Sequence, residues 1–197
     1  MDFFPADEAR RLRNEALAGG VRARGAFERL WKAYFGRLCL YVLSFRGLPE
    51  AEREDVVADS LIAAFNSIAS FDPNRSLTAW IYAIAHNRCA DEVRKQRRHS
   101  AILLGPSAEE ESGFEPESEE DHAQEIASRL SDAELEQACA RALAELPEED
   151  RRIASLRFME GLDSTEIGKV LHLPPGTVRW RIHRIRAAVS ARLGVEP

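Results

Sequence analysis

The chain has 197 residues, room for one medium domain or two small ones. No run approaches the roughly eighteen uninterrupted apolar residues that a membrane span needs, and Met1 to Arg13 is mixed acidic and basic with no apolar stretch, so neither membrane insertion nor export is expected and a cytoplasmic location is. The formal net charge of −6 speaks against a nucleic-acid partner only on average; DNA responds to local potential within about a Debye length, so charge must be taken segment by segment.

The first half has helical periodicity. From Phe27, apolar residues recur at Leu30, Trp31, Tyr34, Phe35, Leu38, Val42 and Phe45, in steps of three and four, and Gly47 and Pro49 stop the pattern. A second helix is expected from about Glu50 to Ile68, with Val57, Leu61, Phe65 and Ile68 facing inward. The stretch from Phe71 to Ser76 is a cluster of turn formers, and Ser76 is placed to cap a third helix from Leu77 to about Arg98, with Trp80, Ile81 and Ile84 on its core side.

Composition then shifts. Between Gly105 and Glu125 stand Gly, Pro, Ser and a run of acids, with no Lys or Arg from His99 through Ser128. Too few apolar groups are present to offset the entropy of ordering, so a flexible acidic linker is expected over residues 101–130. Helix signals return with Asp132 to Leu146 and Glu148 to Met159, stopped by Pro147 and Gly161. A short helix from Ser164 to Leu171, a turn through His172-Leu173-Pro174-Pro175-Gly176 and a helix from Thr177 to Leu193 follow. No segment sustains a period of two, so the chain is expected to be all-α: two small helical domains, residues 1–100 and 131–197, joined by the linker.

The last two helices form a helix-turn-helix. Val178, Ile182, Ile185 and Val189 share one face, which should pack on the preceding helices, while Arg179, Arg181, Arg184 and Arg186 spread over the rest. No acid occurs between Ile167 and Val195. A short basic helix with outward N-terminal turns fits the major groove, where an arginine donates two bonds to a guanine edge. The plainer reading is a solvated basic helix paired with acids elsewhere in the bundle. A second basic cluster, Arg88, Arg94, Lys95, Arg97 and Arg98, ends the third helix; such a cluster can neutralise phosphates or simply compensate the helix dipole. Cys39, Cys89 and Cys139 lie far apart with no metal-binding or disulfide spacing, so each is expected to be a small buried apolar group, and neither metal nor cofactor is expected.

Two stretches resemble the two domains of the extracytoplasmic-function (ECF) group of bacterial RNA polymerase sigma factors, in the expected order. The first, about Phe27 to His99, is strongest from Phe71-Asp72-Pro73-Asn74-Arg75-Ser76 through Trp80-Ile81-Tyr82-Ala83-Ile84-Ala85-His86-Asn87-Arg88 to Arg94. It is similar to the family segment that recognises and melts the minus-ten element. The second, about Ala142 to Leu193, carries Leu146-Pro147-Glu148-Glu149-Asp150-Arg151-Arg152 and Pro174-Pro175-Gly176-Thr177-Val178-Arg179, which look like the domain that reads the minus-thirty-five element.

The resemblance implies a factor that binds core RNA polymerase, at the clamp of the largest subunit and at the flap, and directs promoter-specific initiation. Asp55, Val56 and Asp59 match the clamp-docking helix; the family usually has Gln where Ala58 stands. The loop residues Phe71, Asp72, Asn74 and Arg75, with Asn87, Arg88, Asp91 and Arg94 on the adjoining helix, match the minus-ten reader. Thr177, Arg179, Trp180, Arg181, His183, Arg184 and Arg186 occupy the minus-thirty-five recognition helix. The linker matches the segment that threads toward the polymerase active site, and an anti-sigma factor is the expected regulator. In three places the chain departs from the family pattern: His172 replaces a common Gly, Trp180 a small polar residue, and Asp163-Ser164-Thr165 a Tyr-containing helix start. Histidine tolerates a left-handed backbone better than most residues, so a strained but intact turn is expected.

The main alternative is a stand-alone helix-turn-helix regulator with a receiver or sensor domain. The first half shows neither alternating strands nor an acidic phosphoacceptor pocket, which counts against it. An enzyme is a weaker alternative: no His/Glu metal spacing, Gly-rich phosphate loop or nucleophile elbow occurs, and no catalytic activity is expected.

Overall fold

The computed structural model describes residues 4–104, 141 and 143–193. Nearly all of the acidic linker, the greater part of the helix expected from Asp132, and Cys139 lie outside the described residues. The protein is all-α: every regular element among the described residues is helical.

Helix α1, Ala6–Leu17, was not apparent from periodicity, because only Ala9 and Leu12 are fully buried and half of its 12 residues are charged. Pro5 precedes its first turn and Asp7 and Glu8 lie within it, favourable against the positive end of the helix dipole. Gly19 and Gly20, at φ 72° and 60°, turn the chain into α2, Gly20–Val42. The buried stripe of α2 is Ala26, Leu30, Tyr34, Leu38 and Tyr41. The helix ends before Gly47, where the Ser44 hydroxyl donates to the Tyr41 carbonyl at 2.7 Å and competes with the helical ladder. Phe45 and Leu48 are buried from the turn that follows.

Helix α3, Glu50–Asn66, buries Val57, Leu61 and Ala64, and a 3-10 turn, Ile68–Ser70, follows it. Helix α4 runs Leu77–Leu104, past the expected end at Arg98. Ser76 caps it as expected: its Oγ accepts from the Ala79 amide at 3.0 Å. Leu77, Ile81, Tyr82, Ala85 and Cys89 carry its core face, while Trp80 and Ile84 are only half-buried.

In the C-terminal half, α5, Glu148–Ala154, passes into a wider π-type turn, Ser155–Met159, instead of continuing as one regular helix. The Glu160 amide bonds the Ser155 carbonyl and the Leu162 amide the Leu156 carbonyl, and Gly161 then turns at φ 72°. Helices α6, Ser164–Leu171, and α7, Pro175–Leu193, complete the fold.

The two halves touch. Helix α6 packs along α4. Arg37 on α2 pairs with Glu160 through both carboxylate oxygens, at 3.2 and 2.5 Å, although Glu160 is only 3% exposed. The Arg152 guanidinium lies 4.1 Å from the centre of the Phe45 ring.

Candidate nucleic-acid and polymerase interface

Local chemistry builds the helix-turn-helix. Asp163 and Glu166 form a capping box at the start of α6: the amides of Thr165 and Glu166 donate to Asp163 Oδ1 at 2.7 and 2.8 Å, and the Asp163 amide donates to Glu166 Oε2 at 2.8 Å. The departure at Asp163 therefore supplies a helix start of its own. His172 closes α6 in the left-handed conformation, φ 57° and ψ 38°, as expected for that position. Gly168 lets the turn lie against α6: a Cβ there would stand 2.5 Å from the Leu173 carbonyl oxygen. On α7, Val178 and Ile185 are buried and Ile182 and Val189 pack beside them.

The cations of α7 divide into two sets. Arg181 pairs with Glu149 at 2.5 Å and with Asp150 at 3.2 Å, and Arg184 pairs with Asp150 at 2.5 Å. Asp150 is only 2% exposed, and both arginines are half-buried. The plainer reading, pairing with acids from elsewhere, thus describes these two, and α5 supplies the acids. Arg184 also stacks over Trp180, 4.7 Å from its ring centre. Arg192 pairs with Glu145 at 3.1 Å, and Arg186 lies over Phe158 at 5.8 Å. Arg179, Trp180, His183 and Arg186 are exposed, Thr177 is half-buried, and no acid among the described residues pairs with Arg179.

In the loop expected to cup a minus-ten base, Asp72, Asn74 and Arg75 are exposed. Asp72 Oδ1 accepts from the Asn74 amide at 3.0 Å and its Oδ2 lies 3.4 Å from Arg75. Phe71, also expected in this loop, is buried at 2% exposure against Trp80, ring centres 5.2 Å apart, so in the chain without DNA its ring holds the loop from inside. The unanticipated α1 braces the same loop through Arg10, 3.4 Å from Asn74 Oδ1, and the 3-10 turn before it through Arg13, 2.9 Å from the Ala69 carbonyl.

Asn87, Arg88, Asp91 and Arg94 lie exposed along α4. Arg94 pairs with Asp91 at 2.7 Å, and Arg88 approaches Asp59 of α3 to 4.0 Å. Val56 and Asp59 therefore share one groove with Asn87, Arg88 and Asp91, so the expected polymerase and minus-ten residues are neighbours. Asp55 is exposed on the same helix as Val56 and Asp59. Asn87 Oδ1 lies 3.1 Å from His172 Nε2, so the turn of the helix-turn-helix rests on one of the expected minus-ten residues.

The sequence did not point to Glu160 or Arg37, and Glu149 and Asp150 stood out only for their family resemblance, not as partners of the recognition helix. Their partners lie too far along the chain for spacing to reveal them, and the acids of Glu148-Glu149-Asp150 look like an ordinary first turn. Among the described residues no group of three or more His, Cys, Asp or Glu could hold a metal ion, and no helix is long and apolar enough to cross a membrane.

Comparison with known proteins places this arrangement. Residues 30–99 match the sigma-70 region 2 model and residues 136–189 the sigma-70 region 4 model, the two conserved regions of a transcription initiation factor. The ECF RNA polymerase sigma factor SigW of Bacillus subtilis is 31% identical over 161 residues, 78% of this chain and 82% of SigW. CnrH of Cupriavidus metallidurans, an RNA polymerase sigma factor, is 31% identical over 202 residues, 98% of this chain and 97% of CnrH. The solved structure of CnrH with the cytosolic domain of CnrY aligns at a TM-score of 0.58 and 26% identity, covering 96% of this chain and 97% of that one. RpoE of Bartonella quintana shares the fold, at a TM-score of 0.60 and 22% identity over 87% of this chain and 98% of that one. The chain belongs to the ECF RNA polymerase sigma factors. A stand-alone regulator is disfavoured, since sigma-70 region 2 stands where it would need a sensor or receiver.

Proposed function

We propose that this sigma factor docks on the polymerase clamp through Asp55, Val56 and Asp59 of α3, with a flap contact from the C-terminal half. The exposed residues Asp72, Asn74, Arg75, Arg88, Asp91 and Arg94, with Asn87 once His172 is displaced, read the minus-ten element. Helix α7 reads the minus-thirty-five element from Thr177, Arg179, Trp180, His183 and Arg186. The factor acts in the cytoplasm by binding alone, with no reaction of its own. The observation that carries the reading is the division of α7: its apolar stripe is docked and its N-terminal turns are exposed, with Arg179 facing no acid among the described residues. Such a helix end can enter a major groove and donate to base edges or phosphates.

An anti-sigma factor that covers these surfaces belongs to the same proposal; the CnrH structure, with the cytosolic domain of CnrY bound, supports it. Run-off transcription with core polymerase and genomic promoter fragments tests the reading. Added protein should convert core enzyme to promoter-specific initiation, and Arg179→Ala should weaken promoter use by about ten-fold, the worth of one good base or phosphate contact. Core enzyme that stays non-specific in the presence of the wild-type chain would refute it.

A further inference from the structure

Trp180 is a large aromatic side chain left 59% exposed on α7, yet it is not loose. Arg184, one turn further along, lays its guanidinium 4.7 Å from the indole centre. Arg184 is held in turn by Asp150 Oδ2 at 2.5 Å, and the other Asp150 oxygen takes Arg181 at 3.2 Å. Asp150 is 2% exposed, so a line of support runs from the interior through Arg184 to the indole. Such a stacked contact favours one orientation of the indole and lowers the entropic cost of binding through it.

We propose that Trp180, stacked on Arg184, reads a thymine methyl group in the minus-thirty-five element. This rests on the reading of α7 as the recognition helix and names the chemistry of one of its contacts. The guanidinium covers one face of the indole. What remains is an apolar surface with a single N–H donor and no acceptor, so the side chain cannot make the paired contacts that identify guanine or adenine. The apolar feature of the major groove is the thymine C5-methyl, and an indole edge offers it more contact than the small side chains that usually meet it. Neighbouring Arg179 is exposed and supplies the polar contact beside it.

The test uses holoenzyme assembled from core polymerase and the full chain. A pool randomised across the minus-thirty-five element is selected by run-off transcription. Each thymine of the selected element is then replaced singly by uracil, which removes the methyl and keeps the rest of the base edge. At one position the wild-type enzyme should lose about four-fold in promoter affinity, the worth of one methyl group taken from water. Trp180→Ala should be indifferent to that replacement, Trp180→Phe should keep part of the sensitivity, and Arg179→Ala should keep all of it.

If Trp180→Ala still distinguishes thymine from uracil, or if it weakens both templates equally, the residue is a shelf for Arg184 and the proposal falls. It falls too if a preferred element emerges but no uracil affects the wild-type enzyme. A pool that yields no preferred element would overturn the reading of α7 itself, and this proposal with it.

Discussion

His86 lies where the two halves meet. Its Nδ1 is 3.0 Å from Tyr41 Oη, and its ring centre lies 5.5 Å from Phe45 and 6.4 Å from His172. Burial first, then the charges of Arg152, His172 and Arg94, push its pKa down from 6.5 to about 4. The folded protein therefore takes up this proton less readily than the unfolded chain. The stability that neutral His86 contributes is complete above pH 6.5 and is lost as pH falls toward 4. From pH 7 to pH 5 the loss should be about 2 kcal/mol, measured by urea unfolding, and His86→Phe should flatten that slope. Gly168 makes a second residue-scale prediction. A Cβ there meets backbone, the Leu173 carbonyl, whereas one at Gly47 meets the Val93 side chain. Backbone of a closed turn cannot yield as a side chain can, so Gly168→Ala should cost about 1–3 kcal/mol in thermal unfolding and Gly47→Ala less.

At the scale of the element, α6 has only the eight residues Ser164–Leu171, too few to hold a helix by propensity alone. Its start depends on the reciprocal bonds of Asp163 and Glu166, and its end on the left-handed His172. Asp163→Ala removes the acceptor for two amides and should cost about 1 kcal/mol, with the loss visible as faster amide exchange at Thr165 and Glu166. The π-type turn after α5 matters in another way. It leads directly into Glu160, which sits buried against Arg37 of the other half.

For the whole molecule, the contact between halves is the feature with most bearing on function. Asn87 on His172, Arg37 on Glu160 and Arg152 over Phe45 hold the helix-turn-helix against the minus-ten half. A buried carboxylate stripped of its cation is expensive, about 3–5 kcal/mol, and Glu160 can escape that cost by reaching water. Arg37→Ala should therefore separate the halves while each stays helical: the radius of gyration from small-angle X-ray scattering rises and the circular dichroism spectrum is kept. An unchanged radius would show that apolar packing of α4 on α6 suffices without the ion pair.

Much of the fold was legible because it is local. The steps of three and four in α2 and α3 and the Ser76 cap each act within a few residues, and each led to the helix that forms, whereas α7 begins at Pro175, inside the turn expected to run to Gly176. The helix-turn-helix could be read for the same reason, left-handed His172 included. Helix α1 was hidden because two buried apolar positions in a charged stretch leave no period to detect. Which recognition-helix cations remain available was decided only by tertiary structure. Arg181 and Asp150 are 31 residues apart, Asn87 and His172 85, Arg37 and Glu160 123. Sequence spacing sets the face a side chain occupies, but the crossing of α5 over α7 determines which charge waits there. Phe71 makes the same point with burial: its turn-forming neighbours marked the loop, while the packing of Trp80 turned its ring to the core.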